Sequence, residues 1–208
     1  VNINGTRNAL RMAVEQKCKL IFYSSPESFG EQEAMPLSNE SESLFPPAHL
    51  HQRHSYGASK HIGELLCQFE VRKGLDVRIV RPCNAYGPRL HGDENGQVVS
   101  MMMSSNPIVV HGDGLQTRSL TWVGDVIDGL LAVSDGEGIE GKAFNLGSTE
   151  EITMFKLAEL ISEITGADIV YGDSNHGDSR RRVPDISMNT AISWEAKTSL
   201  QEGLSQLR

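Results

Sequence analysis

The sequence predicts an α/β protein built on a parallel sheet, and two helix-then-strand alternations carry that expectation. Ile3, Ala9, Leu10, Ala13 and Val14 fall near helical spacing ahead of the apolar run 19–24 (KLIFYS), which reads as a buried strand. A second helical pattern, from about residue 56 to 72, leads into the strand-like run 77–80, with Ser55 as its candidate N-cap and Gly74 as its stop. Units of this kind pack as parallel strands whose functional residues sit at the carboxyl ends, here Ser24, Ser25 and Asn84. Between them, residues 31–53 carry Pro36, Pro46 and Pro47 among polar side chains, the texture of a surface loop bordering a site. Beyond Arg89, shorter elements punctuated by Gly92, Gly96, Gly112 and Gly114 mark a smaller α/β unit. The expected division is therefore 1–88 and 89–208, with some later segments returning to the first sheet. Within the second part, Asp125 is the candidate cap of a helix over 126–133, Thr153 precedes an amphipathic helix over 154–165, and Asn145 with Gly147 shapes a strand exit.

Composition narrows the function classes. A chain of 208 residues with 38% hydrophobic content buries a core. A net charge of −8 argues against nucleic-acid binding, which needs a basic surface; the arginines at 180–182 are a local exception. No apolar run approaches the ~20 residues of a membrane span, and no secretory leader is visible. Cys18, Cys67 and Cys83 are widely spaced in apolar contexts, so they read as reduced core thiols of a cytoplasmic protein. His49, His51 and His54 form an HxHxxH spacing in a loop without supporting carboxylates, and no metal is expected there.

The chemistry is concentrated in SYGASK. Tyr56 and Lys60 are four residues apart on one helical face, so a phenol and an ammonium reach one pocket. A phenol free in water ionises near ~10; an adjacent cation favours the phenolate and suits Tyr56 to act as a general base.

With the blocks that follow it, RPCNAYGPR (81–89), HGDGLQTRSLTWVGD (111–125) and RRRVPDI (180–186), the chain resembles the extended short-chain dehydrogenase/reductase family over nearly its whole length. The resemblance is to that family's nucleotide-sugar epimerases, dehydratases and UDP-glucuronate decarboxylases. It implies a partial Rossmann-type, doubly wound parallel sheet with a smaller α/β substrate domain, NAD as cofactor and a nucleotide-diphosphate sugar as partner. It further implies Tyr56 as base, Lys60 tuning it and holding the nicotinamide ribose, and Ser25 of SSPESFG as the assisting hydroxyl. Ser24, Pro82 and Cys83 would lie beside the nicotinamide. Asn84, Arg118 and Arg182 would hold the diphosphate, bidentate guanidinium donors suiting phosphate oxygens, with Val98, Val99 and His111 near the nucleobase.

Glu27 matches a glutamate of the decarboxylases and dehydratases. Dehydratases also place an aspartate just before it as general acid, and this chain has Pro26 there, which disfavours a dTDP-sugar 4,6-dehydratase. HLHQRHSYGASK departs from the proline-rich lead into the tyrosine of decarboxylases, so an epimerase and a decarboxylase both stand. No GxxGxxG or GxGxxG occurs, so the pyrophosphate anchor is missing. The resemblance thus implies an N-terminal truncation of about 100 residues, three βαβ units of ~30 residues each. Trp194 matches the family's closing segment, implying an essentially complete C-terminus. Such a fragment alone is expected to be inactive, or to act as a noncatalytic nucleotide-sugar-binding remnant. Family members pair through helices matching 4–16 and 56–72, implying a homodimer with Ile62, Leu65, Leu66 and Phe69 as its apolar stripe.

Overall fold

A computed structural model describes residues 1–49, 54–92, 96–173 and 180–207. The first half runs α1 (Asn2–Gln16), β1 (Leu20–Tyr23), a 3-10 turn (Pro26–Phe29), α2 (Ser55–Val71), β2 (Val77–Pro82) and β3 (Ala85–Tyr86). There follow α3 (Val98–Met103), β4 (Ile108–His111), β5 (Thr117–Ser119), β6 (Thr121–Trp122) and α4 (Val123–Asp135). The chain then adds β7 (Ala143–Leu146), β8 (Glu151–Thr153), α5 (Met154–Thr165), β9 (Ile169–Gly172), β10 (Arg181–Arg182), a second 3-10 turn (Ser187–Ile192) and α6 (Leu200–Ser205).

The fold is a Rossmann-type α/β arrangement. Its main sheet has the order β1-β2-β7, all parallel, with Leu20 opposite Val77 and Ile79 opposite Ala143. Residues 77–81 of β2, the middle strand, are buried without alternation, as a strand covered on both faces requires. Gly63 lets α2 close on this sheet: a Cβ there would lie 2.3 Å from the Phe22 ring. β7 is a late segment returning to the first sheet. Beyond the main sheet lie a sheet of order β10-β5-β8 and the parallel pairs β3–β6 and β4–β9, packed on a core that includes Ile108, Val110, Leu157, Ile161 and Leu204.

Several local expectations change. Ser55 lies inside α2 rather than capping it; His54 holds the cap position, without a side-chain cap bond. Gly74 does mark the stop, at φ 96, its N–H donating to Val71 O. Asp125 does not cap a helix from 126, because α4 already starts at Val123. Its buried carboxylate instead accepts from the Lys197 and Thr198 backbone N–H groups and from Thr198 Oγ1, and Trp194 Nε1 donates to the Asp125 carbonyl. Thr153 caps α5 as expected, accepting from Lys156 N. Cys18 is exposed, whereas Cys67 and Cys83 are buried and burial pushes both thiols up to about 12.

The loop after the first 3-10 turn is pinned rather than free. Leu37 is buried and exchanges backbone hydrogen bonds with Val183 and Asp185, and Asn145 Nδ2 donates to the carbonyls of both Leu37 and Asp185. Asn145 thus joins three distant segments at the end of β7. Among the described residues no helix is long and apolar enough to cross a membrane. His51 of the HxHxxH spacing lies outside the described residues.

Candidate active site

The end of β1 sets two serines to different tasks. Ser24 continues the sheet through its N–H to Val80 O, while its buried hydroxyl turns inward and donates to Glu64 Oε1 at 2.5 Å. Ser25, extended at φ −161, caps the 3-10 turn and accepts from Glu27 N at 3.2 Å. The turn meets the first turn of α2 at Gly57, where a Cβ would lie 2.1 Å from Glu27 O. Only glycine permits this approach, which packs the Glu27 backbone against the first turn of α2.

Tyr56 is 47% exposed at the mouth of the site. Lys60 Nζ donates to Tyr23 O at 2.6 Å and lies 5.6 Å from the Tyr56 ring centroid and 5.5 Å from that of Phe22. Burial lowers the Lys60 pKa from its ordinary value. Tyr56, Lys60, Ser25 and Glu27 therefore gather at the carboxyl end of β1, where a parallel sheet presents its reactive groups.

Beneath them lies a charged network that the motifs did not announce. Arg81 gives Nε and Nη2 to the two oxygens of Glu64 at 2.8 and 2.6 Å, and Nη1 to Asn39 Oδ1 at 2.6 Å. Its guanidinium also sits 4.6 Å from the Phe29 ring centroid. The network ties α2, β1, β2 and the loop after the 3-10 turn to one another. The available signal was a pair of arginines, Arg78 and Arg81, inside an otherwise apolar strand, with a glutamate four residues beyond Lys60 on the same helical face.

The residues expected to bind substrate border two neighbouring depressions that share Asn84. A cavity of about 490 Å³ is bordered by Asn84, Tyr86, Val99, His111, Arg118 and Leu120. Val99 is nearly fully buried and packs the core as well as the wall. His111 Nδ1 lies 3.0 Å from Asp173 O. Asn84 adopts φ 43 and donates to Ser119 O at 2.9 Å, and it also borders a smaller cleft with Pro26, Cys83 and Arg182. Cys83 N donates to Leu146 O, and its Sγ to Arg81 O at 3.4 Å, so Pro82 and Cys83 form a fixed floor at the end of β2. Arg118 and Arg182 are direct register partners across β5 and β10, and so share a face. Arg182 Nη1 is ion-paired with Glu27 Oε1.

The residues present fit the nicotinamide-ribose end of NAD. The Lys60 ammonium and the Tyr56 phenol offer donors for ribose hydroxyls at the strand end, and the Pro82–Cys83 floor offers an apolar surface. Ser24 does not present its hydroxyl there, because Glu64 holds it.

Comparison with known proteins agrees with this geometry. The model of the NAD dependent epimerase/dehydratase family matches residues 1–147. UDP-glucuronic acid decarboxylase 1 of Arabidopsis thaliana is 34% identical over 214 residues, which cover 99% of this chain and 48% of that protein. UDP-glucuronic acid decarboxylase 6 of the same plant is 31% identical over 211 residues, 98% of this chain and 60% of that protein. The chain thus spans about half the length of the curated relatives it matches. The crystal structure of UDP-glucose 4-epimerase from Thermotoga maritima with UDP-glucose superposes with a TM-score of 0.87 at 27% identity, over 99% of this chain and 67% of that one. A family model matched from the first residue through β7, on a sheet that gathers Tyr56, Lys60 and Ser25 at one strand end, places this chain in the NAD-dependent epimerase/dehydratase family, whose cofactor is NAD.

Proposed function

We propose that the protein containing this chain is a UDP-glucuronate decarboxylase acting through transient oxidation of the sugar at C4. The observation that carries this reading is Glu27 in the 3-10 turn whose backbone packs against Gly57 in the first turn of α2, its carboxylate ion-paired with Arg182, with the protonless Pro26 before it. The curated relatives, decarboxylases at 34% and 31% identity, support the same choice.

Tyr56 takes the proton of the C4 hydroxyl, Ser25 holds that hydroxyl against it, and the Lys60 ammonium stabilises the phenolate. Lys60 and Tyr56 would hold the nicotinamide ribose of NAD, which when bound would supply reversible acceptance of the C4 hydride. The C4 ketone makes the neighbouring carboxylate a β-keto acid, so the electrons of the C5–carboxylate bond pass into the carbonyl as carbon dioxide leaves; the enolate takes a proton from water at C5, and Tyr56 gives its proton back to the C4 oxygen when the hydride returns. Arg118 and Arg182 orient the diphosphate, and Asn84, which borders both the cavity with Arg118 and the cleft with Arg182, adds a further contact to it.

A UDP-sugar 4-epimerase is the second reading, favoured by the structural likeness to the Thermotoga maritima enzyme. Product identity separates the two. Incubation of the full-length protein with UDP-glucuronate and with UDP-glucose, read by mass and NMR, is expected to give loss of carbon dioxide from the first. Unchanged mass with inverted C4 would establish the epimerase, and loss of water would overturn the inference from Pro26. Tyr56→Phe should retain sugar binding while turnover falls ~100- to 10,000-fold.

The proposal includes a cytoplasmic homodimer. Met12, Leu65 and Phe69 are exposed on α1 and α2, and Ile62 is 39% exposed beside them. Leu66, expected on that stripe, instead packs inward against the core of Leu10, Phe22 and Ile79. A dimer by light scattering of the full-length protein is the expected result; a strict monomer would remove this part of the proposal.

A further inference from the structure

Arg118 and Arg182 stand opposite each other on neighbouring parallel strands, about 5 Å apart along the hydrogen-bonding direction, with both side chains on one face. The Arg118 guanidinium donates through Nη1 to Thr117 O at 2.7 Å, and that of Arg182 is ion-paired with Glu27. Their sequence neighbours on the other face have their own counter-charge: Thr117 Oγ1 and Arg181 Nε and Nη2 all donate to Glu151. On the inner face, the carboxylate bonded to Arg182 is Glu27, reaching across 155 positions of sequence from the 3-10 turn beside Tyr56. The Glu27 side chain is 39% exposed and that of Arg182 19%, so water and solutes reach this pair.

We propose that Glu27 occupies, in the unliganded site, the anion position on Arg182 that the β-phosphate of a nucleoside diphosphate takes when it binds, so that ligand binding frees the Glu27 carboxylate beside Tyr56 and Ser25. This rests on the nucleotide-diphosphate reading of the site. A diphosphate brings more charge and more acceptor oxygens than one carboxylate, and it engages both guanidiniums at once, whereas Glu27 engages Arg182 through a single nitrogen. A partly exposed ion pair contributes little net free energy, so the exchange is readily reversible. The same event that seats the substrate thereby delivers the carboxylate to the reacting sugar, and Arg182 acts as a positioning residue for Glu27 before binding and as a phosphate ligand after it.

The test is calorimetric titration of the full-length protein containing this chain with UDP and, separately, with UMP, which lacks the β-phosphate. Glu27→Gln removes the internal competitor, so UDP should bind about two- to fivefold more tightly than to the wild type while UMP affinity stays the same. In an Arg182→Met background, adding Glu27→Gln should change neither affinity. Thermal melts verify that each variant is folded, and a merely structural role for the pair predicts weaker, not tighter, UDP binding on its loss. Unchanged or weaker UDP binding by Glu27→Gln overturns the exchange. So does equal tightening for UDP and UMP, or tightening that persists in the Arg182→Met background. If the wild type binds neither nucleotide, the diphosphate reading falls and the exchange falls with it.

Discussion

The two carboxylate–arginine pairs of this site, Glu64–Arg81 below it and Glu27–Arg182 at its mouth, use the same groups in opposite ways. The side chains of Glu64 and Arg81 are 11% and 8% exposed, and their polar atoms are shared out among each other, Ser24 and Asn39. Glu27 and Arg182 meet through one nitrogen in reach of solvent. Both are ion pairs, yet one is scaffold and the other is exchangeable. Burial decides which: removing one partner of a desolvated pair strands a charge in a low dielectric, whereas water replaces a missing partner at the mouth.

That contrast fails if the two pairs respond alike to mutation. Glu64→Gln leaves the buried Arg81 charge uncompensated, and it should cost about 3–5 kcal/mol, or on the order of 10 °C in melting temperature for a chain of this size, read by circular dichroism. The double change Glu64→Leu with Arg81→Met should recover most of that loss, because well-packed apolar replacements of a buried pair are often neutral or better. If the double variant melts as low as the single, the network's bonds to Ser24 and Asn39 outweigh the pair itself. Glu27→Gln should change stability by no more than about 0.5 kcal/mol, small enough that its effect shows in ligand binding rather than in the melt.

Acid sharpens the same comparison. Burial, the largest single influence on Glu64, pushes its carboxyl up, but the Arg81 hydrogen bonds and charge, with the Ser24 hydroxyl, together hold it below the ordinary carboxylate range. The unfolded chain therefore takes up this proton more readily than the folded one. The stabilisation is complete above the unfolded value of about 4.3 and is lost as pH falls through the lower folded value. The difference in melting temperature between wild type and Glu64→Gln should thus be flat from about pH 8 to about pH 5 and shrink below about pH 4. A difference that shrinks instead toward alkaline pH would contradict this account.

Much of the architecture and the reactive face was legible in the chain. Helical spacing announced α1 and α2, the apolar runs announced β1 and β2, and the four-residue step from Tyr56 to Lys60 placed both on one face without reference to anything distant. Thr153 before an amphipathic run was a cap by local chemistry alone. Where a partner lies far away, local reading ran out. Asp125 has the local pattern of a helix cap yet ties down residues 197 and 198, the Ser24 hydroxyl bonds Glu64, and Leu66 packs inward from the expected apolar stripe.

The sequence by itself determined the secondary structure around the site and the residue types gathered there, because i to i+4 spacing, strand alternation and turn chemistry act over a few residues. Only the tertiary structure decided which charges meet. Glu27 and Arg182 are 155 positions apart, and Arg118 faces Arg182 only because β5 and β10 pair in one register. A charge shows in sequence as a charge; whether it is buried and satisfied or exposed and exchangeable depends on what the folded chain packs around it.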